Sequence, residues 1–247
     1  MTSRTVFTLL FLTVVSTAAW GGRITVLTYE WAPFNFEEDG QIKGIAADVT
    51  REALRRAGVE GEVQMCPWAR AYRWTKEGEN VMLFTIARTA EREEHFKFLC
   101  PVAPPVKNVF FKLAERKDIE IRSLEDARSY RIGVQDEDVL HQLLLRAGFE
   151  TGGNLFPVAL NEQNLRKLLS GRVDLMAGHD LPTLHLLKRM GQPKERIQVV
   201  YTFDTFEECA AFGRKASEDL VDKIRKNLET LEREGFIEET ARRYLSD

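Results

Sequence analysis

The feature that most constrains this chain is an alternation of short β-type runs and helical patterns that occurs twice. The first set extends from a strand at 24–27 to a helical turn at 89–94, and the second from a strand at 131–134 to a strand at 197–201. Between them lies Pro101–Pro105, whose three prolines exclude an interior strand or helix. Such alternation predicts an α/β protein with parallel, helix-flanked sheets.

Two extended segments, near 104–112 and 202–212, bracket the second set. This bracketing predicts an inserted lobe that two crossing strands connect to the first. The predicted division places the two parts of lobe 1 at 22–107 and 205–247, the latter with C-terminal helices, and the inserted lobe 2 at 108–204. Two lobes joined by a double crossing can close on a small molecule by a hinge movement.

The first 21 residues have the composition of a secretory signal peptide. Arg4 precedes an apolar run at 6–15, and small residues follow. The run is too short to span a bilayer. The alternative, a buried first strand or helix, explains neither Arg4 nor the small residues. We therefore expect an exported chain with no direct membrane insertion after cleavage.

Charge and motif content exclude several classes of function. The chain has 35 Lys and Arg against 38 Asp and Glu, a net charge of −3, so there is no electrostatic reason to expect a nucleic-acid partner. No Cys/His spacing resembles a zinc site, and there is no G-x-S-x-G, H-E-x-x-H or Gly-rich phosphate loop. We predict a small-molecule ligand, and neither a cofactor nor a metal.

The three cysteines permit two interpretations. Cys66 and Cys100 each precede a proline at the end of an apolar segment, so they could meet at one edge of a sheet as a disulfide. The interpretation we favour is three buried free thiols, because the sequence does not supply the Cα separation that a disulfide needs.

Aromatic and basic side chains follow each of the first three predicted strands. Trp31 follows the first, Trp68 and Arg70 the second, and Arg88 and Arg92, one helical turn apart, the third. The carboxyl ends of parallel strands are where open α/β sheets bind ligands. Aromatic rings there can wall an apolar group, and guanidinium groups suit a carboxylate. In the plainer interpretation, the aromatics pack the loops to the core and the arginines form solvated ion pairs.

In the second set, His179 and Asp180 come just past a strand end. An unpaired carboxylate in a cleft suits an ammonium group. A hydrolytic interpretation would make His179 a base oriented by Asp180, but adjacent residues on an extended strand end point apart.

Taken in order, these segments resemble the extracellular solute-binding proteins of family 3, the periplasmic amino-acid-binding components of ABC importers. The resemblance covers essentially the whole chain after residue 21. It rests on W-A-P-F-N-F followed by G-x-x-x-G-I-x-x-D-V, on T-A-E-R-E, on G-R-V-D-L-M and on A-F-G-R-K-x-x-x-D-L. It implies a two-lobe type II periplasmic-binding-protein fold with two hinge strands and a discontinuous first lobe.

The resemblance also implies roles for particular residues. Arg92, which closes the T-x-x-R pattern, would hold a ligand carboxylate; the one-turn spacing, rather than the resemblance, suggests that Arg88 would assist it. Thr85 and Ala87, four and two residues before the motif threonine, would contribute further contacts. Asp180 would receive an ammonium group.

Trp31 and Trp68 would contact the ligand side chain.

The second lobe departs from the family pattern at one position. Where amino-acid binders commonly have Gly-Thr after G-V-x-x, this chain has an acidic segment that ends at Asp138. An anion at Asp138 would repel a carboxylate by about 1 kcal/mol or more in a partly screened cleft. The ligand therefore need not be a standard α-amino acid, and Asp138 would suit a cationic group.

We predict a periplasmic, monomeric solute-binding protein, not an enzyme, that captures a small polar or zwitterionic solute for an ABC transporter permease. One alternative is an enzyme on the same scaffold, such as a periplasmic cyclohexadienyl dehydratase, with Glu137, Asp138, His179 or Asp180 as general acid. The other alternative is a ligand-sensing module for a membrane receptor, which differs only in its partner.

Overall fold

A computed structural model of the chain describes residues 23–136 and 138–245. The predicted signal peptide lies outside this part of the chain. Within it, no helix combines the length and apolarity that crossing a membrane would require.

Lobe 1 is built from two separate stretches of chain around one five-stranded sheet. Its first stretch contains β1 (Ile24–Thr28), β2 (Phe36–Glu38), β3 (Gln41–Lys43), α1 (Ile45–Ala57), β4 (Gly61–Met65), α2 (Trp68–Glu77), β5 (Val81–Ala87), α3 (Ala90–Glu93) and β6 (Phe96–Leu99). The chain later returns to this sheet and ends in two helices.

Lobe 2 is continuous and has its own five-stranded sheet. It contains β7 (Val106–Leu113), a 3-10 turn (Asp126–Ser129), β8 (Ile132–Gln135), α4 (Val139–Arg146), β9 (Leu155–Val158), α5 (Asn161–Leu169), β10 (Leu175–His179), α6 (Asp180–Arg189), a second 3-10 turn (Lys194–Arg196) and β11 (Ile197–Phe206). The chain then enters lobe 1 again with β12 (Glu208–Gly213), α7 (Glu218–Arg233) and α8 (Phe236–Leu245).

The strand orders are β4-β1-β5-β12-β6 in lobe 1 and β11-β7-β10-β8-β9 in lobe 2. The two-lobe α/β fold with a discontinuous first lobe is therefore confirmed, but the sheets are mixed rather than parallel. Strands β4 and β5 run parallel to β1, whereas β12 runs antiparallel to β5 and to β6. A strand that returns from the other lobe enters from the opposite end of the sheet, which reverses its direction.

Helical periodicity explains how lobe 1 covers its sheet. In α1, Ile45, Val49 and Ala53 are buried on one face, and Gly58 ends the helix in the left-handed conformation at φ 59°. The buried face of α7 packs into the same core through Leu220, Val221, Ile224, Leu228 and Leu231. Each large aliphatic side chain buried in this way contributes about 1.5–3 kcal/mol.

Both cysteine interpretations from the sequence are wrong. Cys100 and Cys209 form a disulfide with a Cα separation of 4.4 Å, and Cys66 is a half-buried free thiol. The neighbouring strands β6 and β12 place Leu99 opposite Ala210, so the two cysteines lie side by side at the end of this pairing. They are 109 residues apart in sequence, and for that reason no local pattern reveals the pair.

The disulfide joins the two crossings where they leave lobe 1. Beside it, the backbone N–H of Val102 in the first crossing donates to the carbonyl oxygen of Glu208 in the second at 2.8 Å. The chain segments that connect the lobes are thus tied to each other at the edge of the five-stranded sheet of lobe 1, called sheet 1 below.

Candidate functional site

The carboxyl ends of β1 and β5 and the start of β12 meet at one edge of sheet 1. A row of aromatic rings follows this edge. Tyr29 stacks on Trp31 with ring centroids 6.2 Å apart and meets Trp68 edge-on at 5.0 Å. Trp31 also lies edge-on to His179 of lobe 2, at 5.8 Å. These rings therefore form a wall on lobe 1 that contacts lobe 2 across the cleft.

Arg92 is held against this wall. Thr89 caps α3, and its hydroxyl oxygen accepts from the backbone N–H of Arg92 at 3.3 Å. The Arg92 guanidinium lies 5.3 Å from the Trp68 ring and donates from Nη1 to the carbonyl oxygen of Ala87 at 2.9 Å. Its position is therefore fixed by an aromatic face and a backbone carbonyl, which leaves its positive charge for an incoming anion.

The other two predicted arginines point elsewhere. Arg88 pairs with Glu93 at 2.6 Å, and both side chains are about half exposed, at 51% and 49%. The interpretation that Arg88 and Arg92 share one face does not describe this arrangement. Arg70 is exposed on α2, with its guanidinium 5.7 Å from the Trp74 ring.

Thr85 and Ala87 contribute backbone carbonyls to the site. Thr85 is buried and has a positive φ of 63°, at the irregularity where the register of β12 against β5 shifts between Cys209 and Ala210. Left-handed backbone at a β-branched residue costs about 1–3 kcal/mol. The carbonyl oxygen of Thr85 accepts from the Tyr29 hydroxyl at 3.0 Å. Ala87 contributes through its carbonyl oxygen, which accepts from Arg92 Nη1.

Glu208 is a site residue that the sequence analysis missed. It is the first residue of β12, it pairs with Ala87 in β5, and it is 1% exposed. Burial raises the pKa of Glu208 to about 8, and the nearby charge of Arg92 lowers it only in part. Burial and the proximity of Glu208 raise the pKa of Tyr29 as well. The signal in the sequence is a glutamate that opens the otherwise apolar strand E-C-A-A-F-G.

In lobe 2, Asp138 caps α4 and pairs with His179. Its Oδ1 accepts from the Leu140 N–H at 2.9 Å, and its Oδ2 lies 3.4 Å from His179 Nε2. Burial alone would raise the pKa of Asp138, but the hydrogen bond and charge of His179 outweigh it, and the pKa is lowered. His179 is the last residue of β10 and pairs with Asp138 rather than with its neighbour Asp180.

Asp180 begins α6, and its Oδ1 binds backbone at the hinge. It accepts from the N–H of Lys107 in β7 at 3.0 Å and from the N–H of Leu181 at 2.8 Å. Asp180 therefore connects the start of a crossing strand to a helix of lobe 2. A ligand role for Asp180 stays a prediction.

Among the described residues, one group of side chains has donor atoms close enough to surround a metal ion. The group consists of Cys100, Glu207 and Cys209, whose ligand atoms lie within 4.8 Å of one another. Both sulfurs are joined in the disulfide, so they are not thiolates and do not suit a metal.

Comparison with known protein families gave one match, which covers nearly all of the chain. The family described as bacterial extracellular solute-binding proteins, family 3, matches residues 24–247. A search of curated proteins returned no match.

Three solved structures show the range of similar folds. An ancestral cationic amino acid solute-binding protein has a TM-score of 0.75 at 19% identity, covering 91% of this chain and 96% of that chain. The arginine-, lysine-, histidine-binding protein ArtJ from Geobacillus stearothermophilus has 0.68 at 20%, with 92% and 96% covered. A histidine kinase sensor domain with similarity to periplasmic binding proteins has 0.72 at 19%, with 92% and 97% covered. At these identities the likeness establishes the fold.

Proposed function

The chain belongs to the bacterial extracellular solute-binding proteins of family 3, and from this premise we propose that it captures a small amphoteric, amino-acid-like solute between its lobes. The observation that carries the proposal is Arg92. Its guanidinium lies at the cleft edge of lobe 1 on the Trp68 ring, and Nη1 donates to a backbone carbonyl. A bound carboxylate would complete its coordination with a charge-assisted, bidentate pair.

Closure of the lobes supplies the rest of the binding energy in this proposal. Trp31 contacts His179 across the cleft, so a bound solute would be walled by Trp31 and Trp68 and covered by lobe 2. Burying a paired charge in a closing cleft makes the pair selective, because the removal of one partner leaves the other desolvated. Asp138 and Asp180 would offer acceptors to a cationic group from the side of lobe 2.

In the transport part of the proposal, the protein acts as a monomer in the periplasm and delivers the solute to an ABC importer. Structural neighbours that include an amino-acid-binding protein and the substrate-binding protein of an amino acid ABC transporter support it. The sensor domain among the neighbours favours a second candidate function, in which the same capture signals to a membrane receptor. Co-purification of the chain with a permease or with a receptor would separate the two. The family and two of the three neighbours are named as binding proteins, which supports binding without catalysis.

The test is ligand binding by the Arg92→Ala variant. A thermal-shift screen of the L-α-amino acids and related carboxylic acids identifies the tightest compound, and calorimetry measures its affinity. Loss of one partner of a desolvated charge pair should weaken binding by about 30-fold or more. Arg88→Ala should change the affinity less than about threefold, because that guanidinium already pairs with exposed Glu93. Equal losses in both variants, or no loss in either, would overturn the assignment.

A further inference from the structure

Glu208 has an unused acceptor in the wall of the proposed site. It opens β12 at the edge of sheet 1, its side chain is 1% exposed, and its Oε2 is buried with no hydrogen-bond partner among the described residues. A buried polar atom left in this way costs about 1–3 kcal/mol, so such an atom needs a reason to be there.

The two side chains that interact electrostatically with Glu208 already donate hydrogen bonds to other acceptors. Arg92 Nη1 donates to Ala87 O, and the Tyr29 hydroxyl donates to Thr85 O, both carbonyls of β5. Both side chains nevertheless lie near enough for their charges to interact with the Glu208 carboxyl. The carboxyl therefore lies beside the anion-binding guanidinium with an acceptor available for a ligand.

The two candidate carboxylates of lobe 2, in contrast to Glu208, already accept hydrogen bonds within the protein. Asp180 Oδ1 accepts two backbone N–H groups, from Lys107 and Leu181, and Asp138 accepts from Leu140 and pairs with His179. These groups have structural partners already.

We propose that Glu208 receives the ligand's amino group beside the acidic group that Arg92 holds. The inference rests on the proposed function and assigns its amine subsite to the second crossing rather than to Asp180. The expected ligand is a solute whose ammonium group lies close to an anionic group. Such a solute can bind Glu208 and the neighbouring Arg92 at the same time.

Proton release on binding follows from this arrangement. With a pKa of about 8, the Glu208 carboxyl is neutral at pH 7. An arriving ammonium group favours the carboxylate, so the carboxyl proton leaves to solvent as the ion pair forms. The titratable and charged groups that face it are Arg92 of α3, the neutral Tyr29 hydroxyl after β1 and exposed Glu207 on its own segment, with the Asp138–His179 pair across the cleft.

The experiment uses calorimetry on the whole protein with matched pairs of probes. The pairs are L-glutamate with glutarate, L-phenylalanine with 3-phenylpropionate, and L-lysine with 6-aminohexanoate, each measured in phosphate and in Tris to count protons. For an α-amino acid, whose free amino group stays almost fully protonated up to pH 8, we expect about 0.9 proton released at pH 7 and about 0.5 at pH 8, with affinity rising about tenfold per pH unit below pH 8. Glu208→Gln should remove the proton release and weaken α-amino-acid binding about 10- to 100-fold. It should leave the compounds that lack the α-amino group unchanged.

The adjacent Glu207→Gln, at an exposed position, is the matched control and should leave both affinity and proton release unchanged. The proton count in the unsubstituted protein tests the inference even if Glu208→Gln fails to fold. Tight binding of the probes without the α-amino group, binding without proton release, or loss of proton release in Asp180→Asn but not in Glu208→Gln would each overturn the inference and leave solute binding intact. No binding by any probe or by any compound of the earlier screen would overturn the proposed function itself.

Discussion

Each lobe places one largely buried carboxyl group near the cleft, and the two respond to burial in opposite ways. Asp138 in lobe 2 caps a helix and pairs with His179, and its pKa is lowered. Glu208 in lobe 1 has an unpartnered oxygen, and its pKa is raised to about 8. Partners rather than burial alone decide the charge. Lobe 2 therefore presents a fixed anion, whereas lobe 1 presents a neutral acid beside a cation.

The pH dependence of stability should show this contrast most strongly. Because the pKa of Glu208 is higher in the folded chain than its usual value of 4.5, its stabilisation is complete below pH 4.5 and is lost as the pH rises through 8. The loss amounts to about 4 to 5 kcal/mol of unfolding free energy. Urea denaturation of Glu208→Gln from pH 4.5 to 9 should lack this loss, while Glu207→Gln should retain it. Parallel curves for all three proteins would mean that Glu208 is ionised at neutral pH.

Removal of the disulfide should lower the local stability of lobe 1 more than that of lobe 2. Cys100 and Cys209 lie in lobe 1, 109 residues apart in sequence, and close a loop that contains the whole of lobe 2, so their joint replacement by serine should cost about 4 kcal/mol of unfolding free energy. Hydrogen exchange should accelerate in β6 and β12 and stay slow in β8 and β10, because the continuous lobe 2 has no such link. Cys66→Ser serves as the control. Equal acceleration in both sheets would contradict a role confined to lobe 1.

Two tryptophans on α2 allow a test of the aromatic wall. Trp68 is half-buried beneath Arg92, and Trp74 is 44% exposed beneath Arg70. Trp68→Ala should weaken solute binding about tenfold, since it removes both the wall and a cation–π contact. Trp74→Ala removes the same kind of stack away from the cleft and should leave calorimetric affinity within about twofold. A larger loss of affinity in Trp74→Ala than in Trp68→Ala would place the site on the other face of α2.

The smallest expected effect concerns Asp138. Asp138→Asn keeps a cap for α4 but removes the charge beside His179, so unfolding free energy should fall by about 1 kcal/mol at pH 6. A lowered carboxyl pKa gives stability that is present above pH 3.8 and disappears as the pH falls below it, so the two proteins should converge in acid. Glu120→Gln, which breaks an exposed pair with Arg122, should change little. A difference that persists in acid would show that shape rather than charge matters at Asp138.

Local patterns predicted much of the scaffold. Strand β7 (Val106–Leu113) overlaps the extended segment predicted near 104–112, and β8 (Ile132–Gln135) overlaps the strand predicted at 131–134, because apolar periodicity is a local property. Sequence signals missed β6 and β9. Short strands such as β6 and β9 carry too few residues to establish a period, so only pairing with neighbours defines them.

For the candidate site, the sequence identified residue types at strand ends but not their partners. Trp31, Trp68 and Arg92 follow their strands, and the fold brings them to one cleft edge. Arg88 could not be told apart from Arg92 by spacing alone, because the choice depends on where Glu93 lies.

By itself the sequence determined two α/β sets, the proline-rich crossing between them and the motifs of the family, since these depend on near neighbours in the chain. Tertiary structure decided the Cys100–Cys209 link, the Asp138–His179 pair and the burial of Glu208. Each of these brings together groups distant in sequence, and their charge and bonding depend on the solvent and partners that only the folded chain supplies.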